Sequence, residues 1–369
     1  MKIAHILATA DRTGAELAVL NLNRGLRAQG AEPRVFFFRE GEMLEDFRAA
    51  GIPCEVVHVA GKFDLRAVQR LSAHLRSFDV VHTHGSRAMF IGNLAARRAR
   101  VPRVFTTFHE LSTAKRGETR LPSVYLLIER VLARFCTTHC IANSDATRQD
   151  AMRTRGIPAD RITRIYNAAD LGQFNVSDDR GMWRRKLGFS ADDLLIGVVG
   201  RLSAPKGTRY GIEALPRIRQ VFPKARLLLV GEGPLRADLE TLARRLNVGE
   251  FVHFPGTFRD LNPVYNALDL LMQPSVSEAF GLAVLDAIQC GVPVVVTESG
   301  GLPEVAALSP RSRVVPAGDS AALADASIEL LSAKAPREAP AGLAILFSPD
   351  RVARQHLALY SQANTSSTG

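Results

Sequence analysis

At 369 residues and 46% hydrophobic side chains, the chain is long enough for two well-cored domains and too apolar for general disorder. Its four cysteines, Cys54, Cys136, Cys140 and Cys290, form no C-x-x-C pair, and a chain this long needs no disulfide staple, so reduced thiols and a cytoplasmic setting are expected. The net charge of +10 lies almost wholly in the first half, where residues 87–164 alone carry 15 Lys+Arg against 6 Asp+Glu; no RNP-like aromatic motif, zinc finger or helix-turn-helix pattern accompanies it, which argues against nucleic acid.

The apolar run Ile3–Ala10 leads straight into Asp11-Arg12 without a cleavage motif, so it reads as a first strand rather than a secretory signal. Further β-branched runs follow at Arg34–Phe38, Cys54–Val59, Asp79–Thr83, Arg103–Phe108, His139–Asn143 and Arg161–Tyr166, separated by helical stretches. His82 and His84, two residues apart, share a strand face, and both imidazoles could reach one metal. Further ligands are needed for that, and only His109 and Asp145 offer themselves, so no metal is expected. The stretch Lys115–Arg134 interleaves Lys115, Arg116, Arg120, Arg130 and Arg134 with Leu121, Val124, Tyr125, Leu126, Leu127, Ile128 and Val131. That mixture suits an anionic membrane surface, or else the core face of an ordinary amphipathic helix. No apolar stretch reaches the roughly 18 residues of a membrane span, so any membrane contact is peripheral.

A polar stretch between Asn167 and Asp193 interrupts the pattern and marks a domain boundary. Strands resume at Leu194–Val199, Arg226–Val230, Phe251–Phe254, Leu268–Met272, Val292–Thr297 and Arg313–Val315. Strands alternating with helices imply parallel sheets covered on both faces, here two of them. After Leu194–Val199 comes Gly200-Arg201-Leu202-Ser203-Ala204-Pro205-Lys206-Gly207, whose cations could neutralise a pyrophosphate; it is not a P-loop, because the G-x-x-x-x-G-K-[ST] order is absent. Phe258 and Arg259 follow Phe251–Phe254 and are candidates for contact with a nucleotide base. After Leu268–Met272 comes Pro274-Ser275-Val276-Ser277-Glu278-Ala279-Phe280-Gly281-Leu282. Leu282, Leu285 and Ile288 recur at helical spacing, so Gly281 opens a helix whose free N–H groups suit phosphate. Glu278 either faces a ligand there or caps the helix, and Asp286 lies two turns on.

These segments resemble the donor site of retaining GT-B glycosyltransferases of family four, whose hallmark is Glu, seven residues, Glu; here it reads Glu278 and Asp286. The likeness continues through Gly231-Glu232-Gly233-Pro234-Leu235 and Ser299-Gly300-Gly301-Leu302-Pro303-Glu304. In the first half, Thr13-Gly14-Ala15-Glu16 resembles a Gly-Gly-Ala-Glu loop with Thr13 in place of one glycine. Thr107-Phe108-His109-Glu110 resembles the segment that sets a histidine by the transferred sugar, and Tyr166-Asn167-Ala168-Ala169-Asp170 the turn before the linker.

The resemblance implies an α/β fold of GT-B architecture: two Rossmann-like, doubly wound parallel-sheet domains facing a cleft, with a C-terminal helix crossing back to the first. The expected divisions are residues 1–170, the acceptor side; 171–349, the nucleotide-sugar side; 350–363, the returning helix; and 364–369, a disordered tail. It implies Glu278 and His109 as catalytic residues orienting the sugar. Gly14, Arg201, Lys206, Phe280, Gly281, Leu282 and Asp286 would bind the donor, with Asp286 on the ribose. The implied function is transfer of a sugar from a UDP- or GDP-sugar to a glycan or lipid-linked acceptor in cell-envelope synthesis, with no cofactor or metal. A UDP-sugar 2-epimerase-like enzyme and a non-catalytic nucleotide-sugar binder are the alternatives. A dehydrogenase is disfavoured because Gly231-Glu232-Gly233-Pro234-Leu235-Arg236 lacks the third glycine of G-x-G-x-x-G.

Overall fold

The computed structural model describes residues 1–61, 64–112, 122–177, 179–333 and 336–362, with side chains from 126 onward in the helix that begins at Pro122. The segment holding Lys115, Arg116 and Arg120, and the tail 364–369, lie outside the described residues. The chain divides into two compact units, Met1–Asp170 with Ile345–Gly369, and Leu171–Ala344.

The first unit is built on seven parallel strands: β1 (Lys2–Leu7), β2 (Glu32–Phe37), β3 (Cys54–Val56), β4 (Val80–His84), β5 (Arg103–Phe108), β6 (His139–Ala142) and β7 (Ile162–Arg164). They are ordered β3-β2-β1-β4-β5-β6-β7. Side chains of β1 serve both faces: Ala4 and Ile6 pack with Phe36, Val81 and Val104, while Ile3 packs with Leu22, Phe105 and Val352. A sheet covered on both sides needs apolar residues at successive positions, which is why its strands read as continuous apolar runs.

One cover on the second face comes from the far end of the chain. The helix Pro349–Gln362 lies along the helix Gly14–Ala28, burying Val352, Ala353 and Tyr360. Gly25 permits the approach, since a Cβ there would stand 2.1 Å from the Pro349 carbonyl oxygen.

The second unit has six parallel strands: β8 (Leu194–Val199), β9 (Ala225–Val230), β10 (Val252–Gly256), β11 (Leu270–Gln273), β12 (Val294–Thr297) and β13 (Ser312–Val315). Their order is β10-β9-β8-β11-β12-β13. Its core joins Ile196, Val198, Leu227, Leu229, Leu270 and Met272 to Ile212, Leu215, Leu323 and Leu330 of the covering helices. Each such side chain, fully withdrawn from water, contributes roughly 1.5–3 kcal/mol before the entropy of ordering is set against it. No helix among the described residues is long and apolar enough to cross a membrane.

Candidate active site

In an open parallel sheet, ligands sit beyond the carboxyl ends of the strands where the strand order reverses. In the second unit that place is between β8 and β11. The loops that follow these strands are tied together: the Val276 and Ser277 amides both donate to the Pro205 carbonyl, at 2.9 and 3.1 Å. Gly207 ends the first loop at φ +60°, and its missing side chain leaves room for the Pro274 carbonyl oxygen, which a Cβ would meet at 2.0 Å. Gly207 is thus needed by the protein's own backbone.

Glu278 is not a helix cap. Gly281, at φ +107°, is the N-cap residue of the helix Leu282–Gln289 and brings no side chain of its own to cap that N-terminus. Glu278 instead accepts from Lys206 Nζ at 2.6 Å and from Ser275 Oγ at 3.2 Å. Ser275 in turn accepts from Gln273 Nε2 at 2.9 Å. Ser275 and Gln273 were not singled out from sequence; Gln273 ends β11 and Ser275 lies in the loop two residues on, so their contact depends on how that loop turns.

The remaining candidates of this unit surround that pair. Arg201 is exposed and has no acidic partner among the described residues. Phe280 is buried, while Leu282 at the helix start stays partly open. Asp286 keeps some solvent contact, yet burial pushes its carboxyl up to about 8. Burial, with the Asp286 charge in addition, also raises the Tyr265 hydroxyl well above its ordinary value, and its Oη has no hydrogen-bond partner. Phe258, half-buried, and Arg259, exposed, follow the edge strand β10, two places from β8.

In the first unit the order reverses between β1 and β4. Gly14 opens its helix there, exposed, behind Thr13, whose hydroxyl is bound to Glu16 rather than to the helix backbone. Burial raises the Glu16 carboxyl above the usual range. At the ends of β4 and β5 stand His84 and His109, their Nδ1 and Nε2 3.0 Å apart. His84 Nε2 is 2.9 Å from Nδ1 of His5, which pairs in register with His82. Nitrogens of His5, His82 and His84 lie within 4.8 Å of one another, but five of the six are already engaged. His82 binds Tyr360 Oη at 2.6 Å and Thr107 Oγ1 at 2.7 Å. A metal would have to displace these bonds. The third histidine is His5, not His109 or Asp145; Asp145 pairs with Arg164 at 3.1 Å.

Much of the basic excess in residues 87–164 serves the fold. Arg155 is 1% exposed, held by Glu129 at 2.6 Å and Asp150 at 3.2 Å over the Phe108 ring. Arg97, Arg103, Arg148 and Arg161 donate to main-chain carbonyls. The helix Pro122–Phe135 differs: Glu129, Leu132 and Ala133 are buried, while Leu127, Arg130, Val131, Arg134 and Phe135 form an exposed stripe. Leu127 is 59% and Phe135 63% exposed, so the apolar residues of this helix are not all core residues.

Residues 193–333 match the family model for glycosyl transferases group 1, and residues 12–173 that for glycosyltransferase family 4. A D-inositol 3-phosphate glycosyltransferase of Actinosynnema mirum is 30% identical over 404 residues, covering 96% of this chain and 93% of the relative. A UDP-Gal:alpha-D-GlcNAc-diphosphoundecaprenol alpha-1,3-galactosyltransferase of Escherichia coli is 28% identical over 267 residues, or 70% of this chain and 69% of the relative. In fold, the crystal structure of Anabaena Alr3699/HepE in complex with UDP superposes with a TM-score of 0.84 at 24% identity, over 98% of this chain and all of that one.

Proposed function

The chain belongs to the group 1, family 4 glycosyltransferases of GT-B fold, and from that premise we propose that it is a retaining enzyme taking its sugar from a UDP- or GDP-sugar. The observation that carries this reading is the Lys206–Glu278 pair at the β8/β11 switch point, in front of a helix whose N-cap residue is Gly281. Departure of a nucleoside diphosphate leaves negative charge on its phosphates. Lys206, Arg201 and the N–H groups at Gly281 and Leu282 stabilise that charge without a metal. Glu278 accepts hydrogen bonds from the sugar hydroxyls, with Phe280 lining the site. Asp286 takes the ribose, and Phe258 with Arg259 the base. Gly14 approaches the phosphate, and His109 contacts the transferred sugar.

In the step itself the bond from the anomeric carbon to the phosphate oxygen breaks on the face where the acceptor oxygen bonds. The acceptor's proton passes to the departing phosphate, so no protein base is required. The acceptor is a glycan or lipid-linked sugar of a cell-envelope pathway, met by the first unit. The lipid diphosphate in the Escherichia coli relative's name supports that class, as does the exposed apolar and basic stripe, which suits the inner face of a membrane. A panel of UDP- and GDP-sugars, each with and without a diphosphoprenyl-sugar acceptor, tests the reading. Nucleotide release is expected only with acceptor, undiminished by a chelator, and with the donor's anomeric configuration kept in the product. Activity lost to chelator and restored by one divalent ion overturns the metal-free charge compensation. A donor intact after long incubation with every acceptor points to a binder.

A further inference from the structure

His5, His84 and His109 form one row: His5 Nδ1 meets His84 Nε2 at 2.9 Å, and His84 Nδ1 meets His109 Nε2 at 3.0 Å. The nitrogens at the two ends, His5 Nε2 and His109 Nδ1, are buried and have no hydrogen-bond partner. Burial lowers the imidazole of His5 to about 3 and that of His109 to about 4, and takes His84 well below its ordinary value. All three rings are therefore neutral near pH 7, each with a single N–H.

Three such rings joined by two hydrogen bonds allow two arrangements, because every ring must donate in the same direction. In one, His5 Nδ1–H donates to His84, His84 Nδ1–H donates to His109 Nε2, and the His109 proton sits on Nδ1. In the other, the donors run the opposite way and the surplus N–H is on His5 Nε2. His5 is fully enclosed, with 0% exposure, whereas His109 is half-buried at the end of β5. The titratable groups around the row are already committed: His82 to Tyr360 and Thr107, and His356 to the Val352 carbonyl at 2.9 Å. Each arrangement leaves one N–H and one bare acceptor at the ends of the row; the first is favoured because it puts the surplus N–H on His109, the ring that keeps some exposure and that a ligand can approach, and not on the wholly enclosed His5.

We infer that His84 and His5 are positioning residues for His109, holding its ring and fixing its neutral tautomer with the proton on Nδ1, so that His109 presents a donor and not a base at that atom. This rests on the reading above, in which His109 meets the transferred sugar. The free Nδ1–H then awaits an oxygen of the ligand, and binding supplies the bond the empty protein lacks.

Long-range proton–nitrogen NMR correlation of the full chain, with labelled histidine and resonances assigned by single substitution, reads the tautomers directly. The expected result is a proton on Nδ1 of His5, His84 and His109, with His109 changing to a mixture or to the Nε2 form in His84→Phe and His5→Leu. His5→Asn, whose amide donates from nearly the place of Nδ1, should restore the Nδ1 form. An N–H on His109 Nε2 in the unaltered protein overturns the inference, as does an unchanged His109 tautomer in His84→Phe. If neither apolar variant folds, the unaltered protein and His5→Asn still decide. In transfer assays His5→Leu should lower kcat about tenfold with donor KM nearly unchanged, and His5→Asn should regain most of it. His109→Ala separates the two readings: full activity there, with the expected spectrum, removes His109 from the sugar site and leaves the tautomer lock standing.

Discussion

Lys206 and Glu278 neutralise one another at 2.6 Å, each still partly open to solvent, so a change to either leaves the other half-buried and unpaired. On the proposed reading, Glu278→Gln should leave the fold intact and lower transfer at least about tenfold, because the charged acceptor proposed for sugar hydroxyls is gone. Lys206→Ala should instead act mainly on donor KM. Unchanged turnover in Glu278→Gln would confine Glu278 to pinning two loops together. Asp286 gives a test of the opposite sign. Its folded value near 8 lies above the ordinary 3.8, so the folded protein binds this proton more tightly than the unfolded chain. The contribution to stability is full below about pH 4 and is lost as pH rises towards 8. Asp286→Asn should therefore melt higher than the parent by a few degrees at pH 8, converge with it near pH 4, and bind donor more weakly. Taking the difference in Tm at each pH cancels the buried histidines common to both proteins. A difference that does not grow with pH would show that Asp286 is already ionised at neutrality. The acid's place in the motif was legible in sequence, but its protonation was not, because that depends on burial beside Tyr265 and Cys290, which only the fold brings near.

All thirteen strands read from apolar runs are present, because residues buried on both faces of a parallel sheet leave continuous β-branched runs. Their ends were less legible. The run at Cys54 stops pairing at Val56, where its single neighbour β2 ends its register at Phe37. His5 was missed because it becomes a neighbour of His82 only through the β1–β4 register, which no local pattern encodes. Loop packing was hidden in the same way, and Gly207 tests it. Gly207→Ala puts a Cβ 2.0 Å from a carbonyl oxygen at φ +60°, so the two donor-side loops must separate. Backbone strain alone costs about 1–3 kcal/mol, and both a lower Tm and a higher donor KM are expected. A variant with unaltered KM would uncouple the loop from donor binding. The exposed stripe on the helix Pro122–Phe135 calls for co-sedimentation with vesicles at low and high salt. Binding to anionic but not neutral vesicles is expected, weakened by salt and by Leu127→Ser with Phe135→Ser. Absence of binding to either kind at low salt removes the membrane from the proposal.

At the scale of the molecule, the first unit is discontinuous: it comprises Met1–Asp170 and Ile345–Gly369, and all of Leu171–Ala344 intervenes. Its last helix fills a face lined by Ile3, Leu22, Leu26 and Phe105, and its Tyr360 holds His82. Ending the chain at Ser348 should expose that face and cut the soluble yield severalfold, whereas Tyr360→Phe should cost about 1–3 kcal/mol, because it leaves a buried His82 nitrogen without its partner. Equal soluble yields for the shortened and full chains would make the helix an accessory.

The same discontinuity sets an order of events during synthesis. When Asp170 leaves the ribosome, seven strands are available but one face of their sheet is only partly covered, by the helix Gly14–Ala28, and the helix that completes the cover is not yet translated. At 5–20 residues per second the interval lasts on the order of 10–40 s, during which the apolar patch lined by Ile3, Leu22, Leu26 and Phe105 waits beside a growing chain. The second unit is made without interruption and has no such wait. Nascent chains stalled near Ala344 should therefore be the ones that recruit chaperones and yield to protease. Release of the last turns of helix would then close the first unit in one late step, so that histidine alignment around His82 is completed only once Tyr360 has been made.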